Sequence, residues 1–153
     1  MTSSKDFLVT LYIDGASRGN PGPASVGCFI KRDGQVLLQQ GYYLGTKTNN
    51  QAEYAALLIG LHLAKGLLRP DDHLHIVSDS ELLVKQLTGH YRVRDPLLQV
   101  LFARAQCMLQ NVDYRITHVL RVHNTHADAL ANQALDQKKS LPAELAPLVT
   151  LHA

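Results

Sequence analysis

Four carboxylates, Asp14, Glu53, Asp79 and Asp128, stand out because each falls where a regular element is expected to begin or end. Asp14 closes a β-forming run, Glu53 lies in the first turns of a helical pattern, Asp79 follows a short β-forming run, and Asp128 opens the last helical pattern. Each has an ordinary structural use. Asp14-Gly15 reads as a turn, Asn50 with Glu53 and Thr125 with Asp128 read as capping boxes, and Asp79 reads as a cap for the helix after it. Taken together they read differently, since carboxylates at two strand ends and two helix starts can gather along one edge of a sheet. Like charges so gathered cost stability unless cations neutralise them. Hard oxygen ligands with open positions suit Mg²⁺ or Mn²⁺, which also engage phosphate. A pair of such ions activates water and steadies the leaving oxygen of a phosphodiester, so the chemistry these acids suit is metal-dependent phosphoryl transfer.

The elements that must position these acids follow from periodicity and turn chemistry. Phe7 to Ile13 predicts a strand, and residues 15–23, GASRGNPGP, predict a loop. Ser25 to Lys31 and Val36 to Leu44 flank Arg32-Asp33-Gly34-Gln35, whose Asp-Gly pair predicts a tight hairpin. The period then changes: Ala52, Ala55, Ile59 and Leu63 predict one apolar stripe on a helix from about Asn50 to Leu67, ahead of Pro70. A strand from His73 to Ser78, helices from Glu81 to Leu87 and Pro96 to Leu109, a strand from Tyr114 to Leu120 and a helix from Ala127 to Lys138 complete the order βββαβααβα. Helices between the later strands imply crossovers and parallel pairing, so the expected fold is α/β or α+β, a five-stranded mixed sheet flanked by helices. A single domain over residues 1–140 is expected, with a tail at 141–153 that carries Pro142 and Pro147 among apolar residues and whose docking is left open.

The wording of four segments is specific. YIDGASRGNPGPA at 12–24, TKTNNQAEYAAL at 46–57, IVSDSELLVKQL at 76–87 and HNTHADALANQAL at 123–135 resemble, in order, the four signatures of type 1 ribonuclease H. The resemblance covers about Phe7 to Gln137. It implies the ribonuclease H-like fold and hydrolysis of the RNA strand of RNA/DNA hybrids by two Mg²⁺ or Mn²⁺ ions, giving 3′-hydroxyl and 5′-phosphate ends. It also implies that Asp14, Glu53, Asp79 and Asp128 are the catalytic metal ligands, and that Asn20, Thr48, Asn49 and Asn50 contact substrate. Short polar side chains of that kind suit 2′-hydroxyls and phosphates in a wide minor groove, although each also serves turns and caps. Arg18 and Lys47 flank these motifs and could hold phosphates.

The family often has a mobile histidine before the last carboxylate, assisting proton transfer or product release. His123 is expected in the loop and His126 in the first helical turn, where the positive dipole end disfavours the protonated ring, so His123 is the candidate. The sequence departs from many bacterial members: His90-Tyr91-Arg92-Val93-Arg94 passes straight into Asp95-Pro96 where those carry a long basic protrusion, and there is no tryptophan. Hybrid affinity and its salt dependence are therefore expected to be modest.

Composition sets the outer bounds. A formal net charge of +2 permits a polyanionic partner without demanding one. No apolar stretch long enough to span a membrane occurs, and the N-terminus has no cleavage-site pattern. Cys28 and Cys107 lack metal-site spacing and sit in apolar segments, where buried reduced thiols are expected. The resulting expectation is a cytoplasmic, monomeric protein with no obligate protein partner. Two rivals stay open: a nucleic-acid-binding scaffold of the same fold, and a nuclease of different substrate, such as a 3′ exonuclease or one acting on double-stranded RNA.

Overall fold

The computed structural model describes residues 7–151. Its five strands are β1 (Phe7–Ser17), β2 (Gly22–Arg32), β3 (Gln35–Lys47), β4 (Asp72–Ser78) and β5 (Tyr114–His118). The helices are α1 (Asn49–Lys65), α2 (Glu81–Leu87), α3 (Pro96–Leu109), α4 (Thr125–Gln137) and a short α5 (Ala146–Val149). A single 3₁₀ turn, Arg121–His123, precedes α4.

The strands form one five-stranded mixed sheet, as the element order predicts, and its strand order is β3-β2-β1-β4-β5. Asp33 and Gly34 connect β2 to β3 with positive φ at both positions (48° and 87°), the backbone of a two-residue hairpin that matches strand twist. The β1–β2 and β2–β3 pairs are antiparallel, whereas β1–β4 and β4–β5 are parallel. Helix α1 supplies the crossover between β1's hairpin and β4, and helices α2 and α3 supply the crossover from β4 to β5.

Side chains alternate along β1, so Val9, Leu11 and Ile13 all point to one face, where they are fully buried with Leu74 and Ile76 of β4. That face carries α1, which is apolar nearly all round: Tyr54, Leu57, Leu58, Ile59 and Leu61 are each 1% exposed or less. Helix α3 packs on α1 from the far side, opened by Asp95, whose carboxylate accepts from Leu97 and Leu98 N–H, and by Pro96 at its first position. The tail docks on this core through buried Leu145 and Val149, and Arg104 Nη1 donates to the Leu148 carbonyl at 3.0 Å. The opposite face carries α4, laid across β1, β2 and β3.

Several boundaries differ from expectation for physical reasons. Residues Gly15, Ala16 and Ser17 are strand, paired with Val26, Ser25 and Ala24, and the expected 15–23 loop shrinks to the turn between Ser17 and Gly22. Ladder pairing with β2 overrides the turn-rich composition. Helix α1 is capped by Thr48: its Oγ1 accepts from Gln51 N–H, and Gln51 Oε1 accepts from Thr48 N–H at 3.0 Å. The Asn50–Glu53 box therefore does not form. Helix α2 is capped by Ser80, whose Oγ accepts from Leu83 N–H, so Asp79 is not its cap. Helix α4 starts at Thr125, two residues earlier than expected, with no side-chain cap bond and no Thr125–Asp128 box. Helix α1 ends at Lys65, β5 at His118, and Cys107 is exposed, against the expectation that both thiols are buried.

Candidate active site

Asp14 lies within β1, opposite Gly27 of β2, just past the last β1–β4 pair, Ile13 with Ser78. The parallel strand thus ends where Asp14 needs open space. Alternation turns Asp14 to the α4 face of the sheet, where its side chain is buried, and Oδ2 has no hydrogen-bond partner among the described residues. Burial, then the charges of Glu53 and Asp79, then Asp128, push its carboxyl from an ordinary 3.8 up to about 9.

Glu53 is delivered by the second turn of α1. The helix comes so close to β1 that a Cβ at Gly15 would stand 2.2 Å from the Ala52 carbonyl carbon and 2.4 Å from Glu53 N, so only glycine fits there. At that distance Gly15 N–H donates to Glu53 Oε1 at 2.8 Å. Burial raises the Glu53 carboxyl to about 8; the Gly15 bond and the Arg121 charge pull it down, while Asp79 pushes it further up.

Asp79 follows the last residue of β4 and is half-buried, left free because Ser80 takes the helix cap. Asp128 sits in the first turn of α4, and α4 is seated by a second close approach: a Cβ at Gly27 would stand 2.1 Å from the Ala127 carbonyl oxygen. Two side-chain bonds fix the helix further, Asn124 Nδ2 donating to the Ile13 carbonyl at 2.8 Å and Ser25 Oγ donating to the Ala131 carbonyl.

Carboxylate oxygens of Asp14, Glu53 and Asp79 lie within 4.8 Å of one another, and Asp128 lines the same cleft of about 430 Å³. A buried carboxylate oxygen with no partner, ringed by three further acids, is short of positive charge rather than of protein donors. The donor set therefore fits divalent metal ions with oxygen preference.

Of the expected substrate contacts, Asn49 lines the cleft, and its N–H donates to Asn20 Oδ1 at 3.0 Å, tying the turn after β1 to the start of α1. Thr48 is engaged as the cap of α1, and Asn50 is exposed in its first turn. Arg18 lines the cleft and pairs with Asp136 of α4 at 2.6 Å, while Lys47 is half-buried, which lowers its pKa.

Two cleft residues escaped the sequence reading. Arg121, at the start of the 3₁₀ turn, lines the cleft and favours the ionised form of Glu53. Asn132 lines it one helical turn after Asp128, and its Nδ2 donates to the Asp128 carbonyl at 3.0 Å; the four-residue spacing was the available signal. His123 is exposed at the end of the 3₁₀ turn and lines a second pocket with Tyr12, Phe29 and Lys31 instead of the acidic cleft. His126 stacks on Phe29 in that same pocket.

Comparison with known proteins bears on this arrangement. Residues 12–134 match the family model described as Reverse transcriptase-like. The chain is 47% identical over 130 residues to the Ribonuclease HI of Halobacterium salinarum, covering 84% of this chain and 64% of that protein. A bifunctional protein of Mycobacterium tuberculosis is 38% identical over 133 residues, of which the chain spans 35% of the length. The chain thus spans less than two thirds of these relatives. Among solved structures, the RNase H1 of Halobacterium salinarum superposes with a TM-score of 0.79 at 43% identity, covering 87% of this chain and 99% of that one. LC11-RNase H1, solved in complex with RNA/DNA hybrid, superposes at 0.80 with 36% identity, covering 84% and 97%.

Proposed function

We propose a metal-dependent endonuclease activity for this chain, which belongs to the type 1 ribonuclease H family. The substrate is the RNA strand of an RNA/DNA hybrid, and the products carry 3′-hydroxyl and 5′-phosphate ends. The observation that carries the reading is the cluster of Asp14, Glu53 and Asp79 within 4.8 Å, with a buried Asp14 oxygen that lacks a partner among the described residues. A close structural relative was solved with such a hybrid bound, which supports the choice of substrate.

Asp14, Glu53, Asp79 and Asp128 would hold two Mg²⁺ or Mn²⁺ ions. Bound there, the ions supply activation of the attacking water and neutralisation of the leaving 3′-oxygen. The protein's own part is positional and electrostatic. Gly15 N–H orients Glu53 through Oε1, and the Arg121 charge holds that carboxylate closer to its ionised form. Asn49 reads the minor groove from the cleft wall, Asn20 fixes its backbone, and Thr48 and Asn50 complete the polar rim at the start of α1. His123 assists proton transfer from outside the acidic cleft.

Every residue assigned here comes from this one polypeptide, so a monomer suffices. Among the described residues no helix is long and apolar enough to cross a membrane. A reducing cytoplasm suits Cys28, whose buried thiol is pushed up to about 12 and is inert. We assign residues 1–140 to the catalytic domain and give the tail from Leu141 a supporting role, through Leu145 and Val149 in the core.

The test is incubation of purified protein with labelled hybrid, duplex RNA, duplex DNA and single strands, each with Mg²⁺, Mn²⁺ or EDTA. Internal cuts confined to the RNA of the hybrid, abolished by EDTA and by deoxynucleotides at and beside the cut site, are expected. Equal cutting of an all-DNA duplex would leave a general nuclease, and binding without cutting would leave a scaffold.

A further inference from the structure

Beside the acidic cleft lies a second cavity of about 230 Å³, whose wall includes Tyr12, Phe29, Lys31, Asn124 and His126. Its floor is aromatic. The Phe29 and His126 rings stack with centroids 4.6 Å apart and planes 7° from parallel, and Tyr12 tilts against Phe29 at 5.8 Å. Phe29 is 5% exposed while Tyr12 is only half-buried, so one ring anchors the floor and another remains accessible.

Position and charge tie this cavity to the cleft. Tyr12 lies two residues before Asp14 on the same face of β1, about 7 Å along the strand, close to the reach of one nucleotide. The cleft is lined by four carboxylates, whereas the described residues lining the second cavity include no carboxylate and do include Lys31. Asn124 is 1% exposed, its Nδ2 is fixed on the Ile13 carbonyl, and its Oδ1 has no partner among the described residues. An accessible ring, a cation and an unused carbonyl acceptor are the groups that hold a nucleotide: the ring for the base face, the cation for phosphate, the acceptor for a base N–H.

We propose that this cavity is a subsite for an unpaired nucleotide of the RNA strand adjoining the scissile position, an inference that rests on the ribonuclease reading above. A base inside the hybrid has both faces stacked and its edge paired, so it cannot enter. The cavity serves hybrid ends, where RNA continues as a single strand. A hybrid with such an extension is held more tightly than a blunt one, with the chemistry at the carboxylates unchanged.

The experiment measures kcat and KM in Mg²⁺ on a short hybrid whose cut site lies near its end, either blunt or extended by four RNA nucleotides at the 5′ or the 3′ side. One extension is expected to lower KM about five-fold or more, the low end of what stacking one base on an aromatic ring contributes, with kcat unchanged. Tyr12→Leu and Lys31→Gln are each expected to remove most of that advantage while leaving KM for the blunt hybrid as in the wild type, which also reports that the variants are folded. Equal KM for blunt and both extended substrates, or an advantage surviving both substitutions, overturns the subsite while leaving the ribonuclease reading intact. Failure to cut any hybrid overturns both.

Discussion

Replacing Asp14 by Asn separates the electrostatic cost of the acidic cluster from its catalytic use. Asn keeps the shape of the side chain and removes the charge that burial, Glu53 and Asp79 oppose. In the metal-free protein the folded-state value is about 9 and the ordinary one 3.8, so at pH 7 the folded chain holds a proton that the unfolded chain has released. The folding penalty is therefore absent below about pH 4 and grows as the pH climbs toward 9. At about 1.4 kcal/mol per pH unit its ceiling at pH 7 is about 4 kcal/mol. Relaxation around the shared charges lowers this, and about 2 kcal/mol is the expected gain for the amide. For a domain of this size that corresponds to a melting temperature about 4–8 °C higher. The assay is thermal melting in EDTA at pH 5, 7 and 8, where the advantage of Asp14→Asn should widen as pH rises. With saturating Mg²⁺ the wild type should gain on the variant, because only an intact ligand set is stabilised by mass action. Hybrid cleavage by Asp14→Asn should fall to near background. A variant that melts at or below the wild type in EDTA at pH 8 would refute the burial-and-repulsion account, and wild-type cleavage would refute the metal-site assignment.

Gly27→Ala forces a methyl group against the Ala127 carbonyl, so α4 must shift and carry Asp128 with it; a stability loss of about 1–3 kcal/mol and at least a ten-fold fall in kcat are expected, checked by melting and turnover. If kcat stays at the wild-type level despite the lost stability, the seating of α4 does not matter to the chemistry. Arg121→Ala removes the charge that favours ionised Glu53, so the acid limb of the kcat/KM profile between pH 6 and 9 should move to higher pH, with partial return in Arg121→Lys. A uniform drop at every pH would assign Arg121 to substrate binding alone. His123→Ala should lower kcat by about 100-fold or less with Mg²⁺ still required, and His126→Ala should be milder; an unchanged pH profile in His123→Ala, or the larger loss in His126→Ala, removes the proton-transfer role.

The gathering of the acids, the hairpin and the mixed sheet were legible, the last two because their signals are local: Asp33-Gly34 dictates its own turn, and the change of period at Asn50 marks a helix, hence a crossover, whatever surrounds it. Contacts made across the fold were not legible. Gly15 and Gly27 read as turn or weak strand residues, yet each is required by a helix backbone lying against the sheet. Asn50 and Glu53 fit a capping box as well as Thr48 and Gln51 do, and only tertiary placement, with Glu53 drawn to Gly15 N–H, decides between them. The loop before α4 illustrates the same limit. The expected loop position points to His123, but the 3₁₀ turn puts Arg121 on the cleft and His123 on the neighbouring pocket.

Helix α4 is held far more lightly than α1. It buries Ala127, Ala131, Ala134 and Leu135, three of them alanines, where α1 buries ten residues that include Tyr54 and four leucine or isoleucine side chains in its middle turns. Little apolar area opposes its detachment from the sheet, so the unit that opens first should be the one bearing Asp128. Backbone amides of α4 would then exchange with solvent deuterium well before those of α1, and divalent ions, on the proposed ligand set that includes Asp128, would slow exchange in α4 more than elsewhere. The last carboxylate would thus act as a latch, leaving the other three assembled but idle whenever that helix lifts.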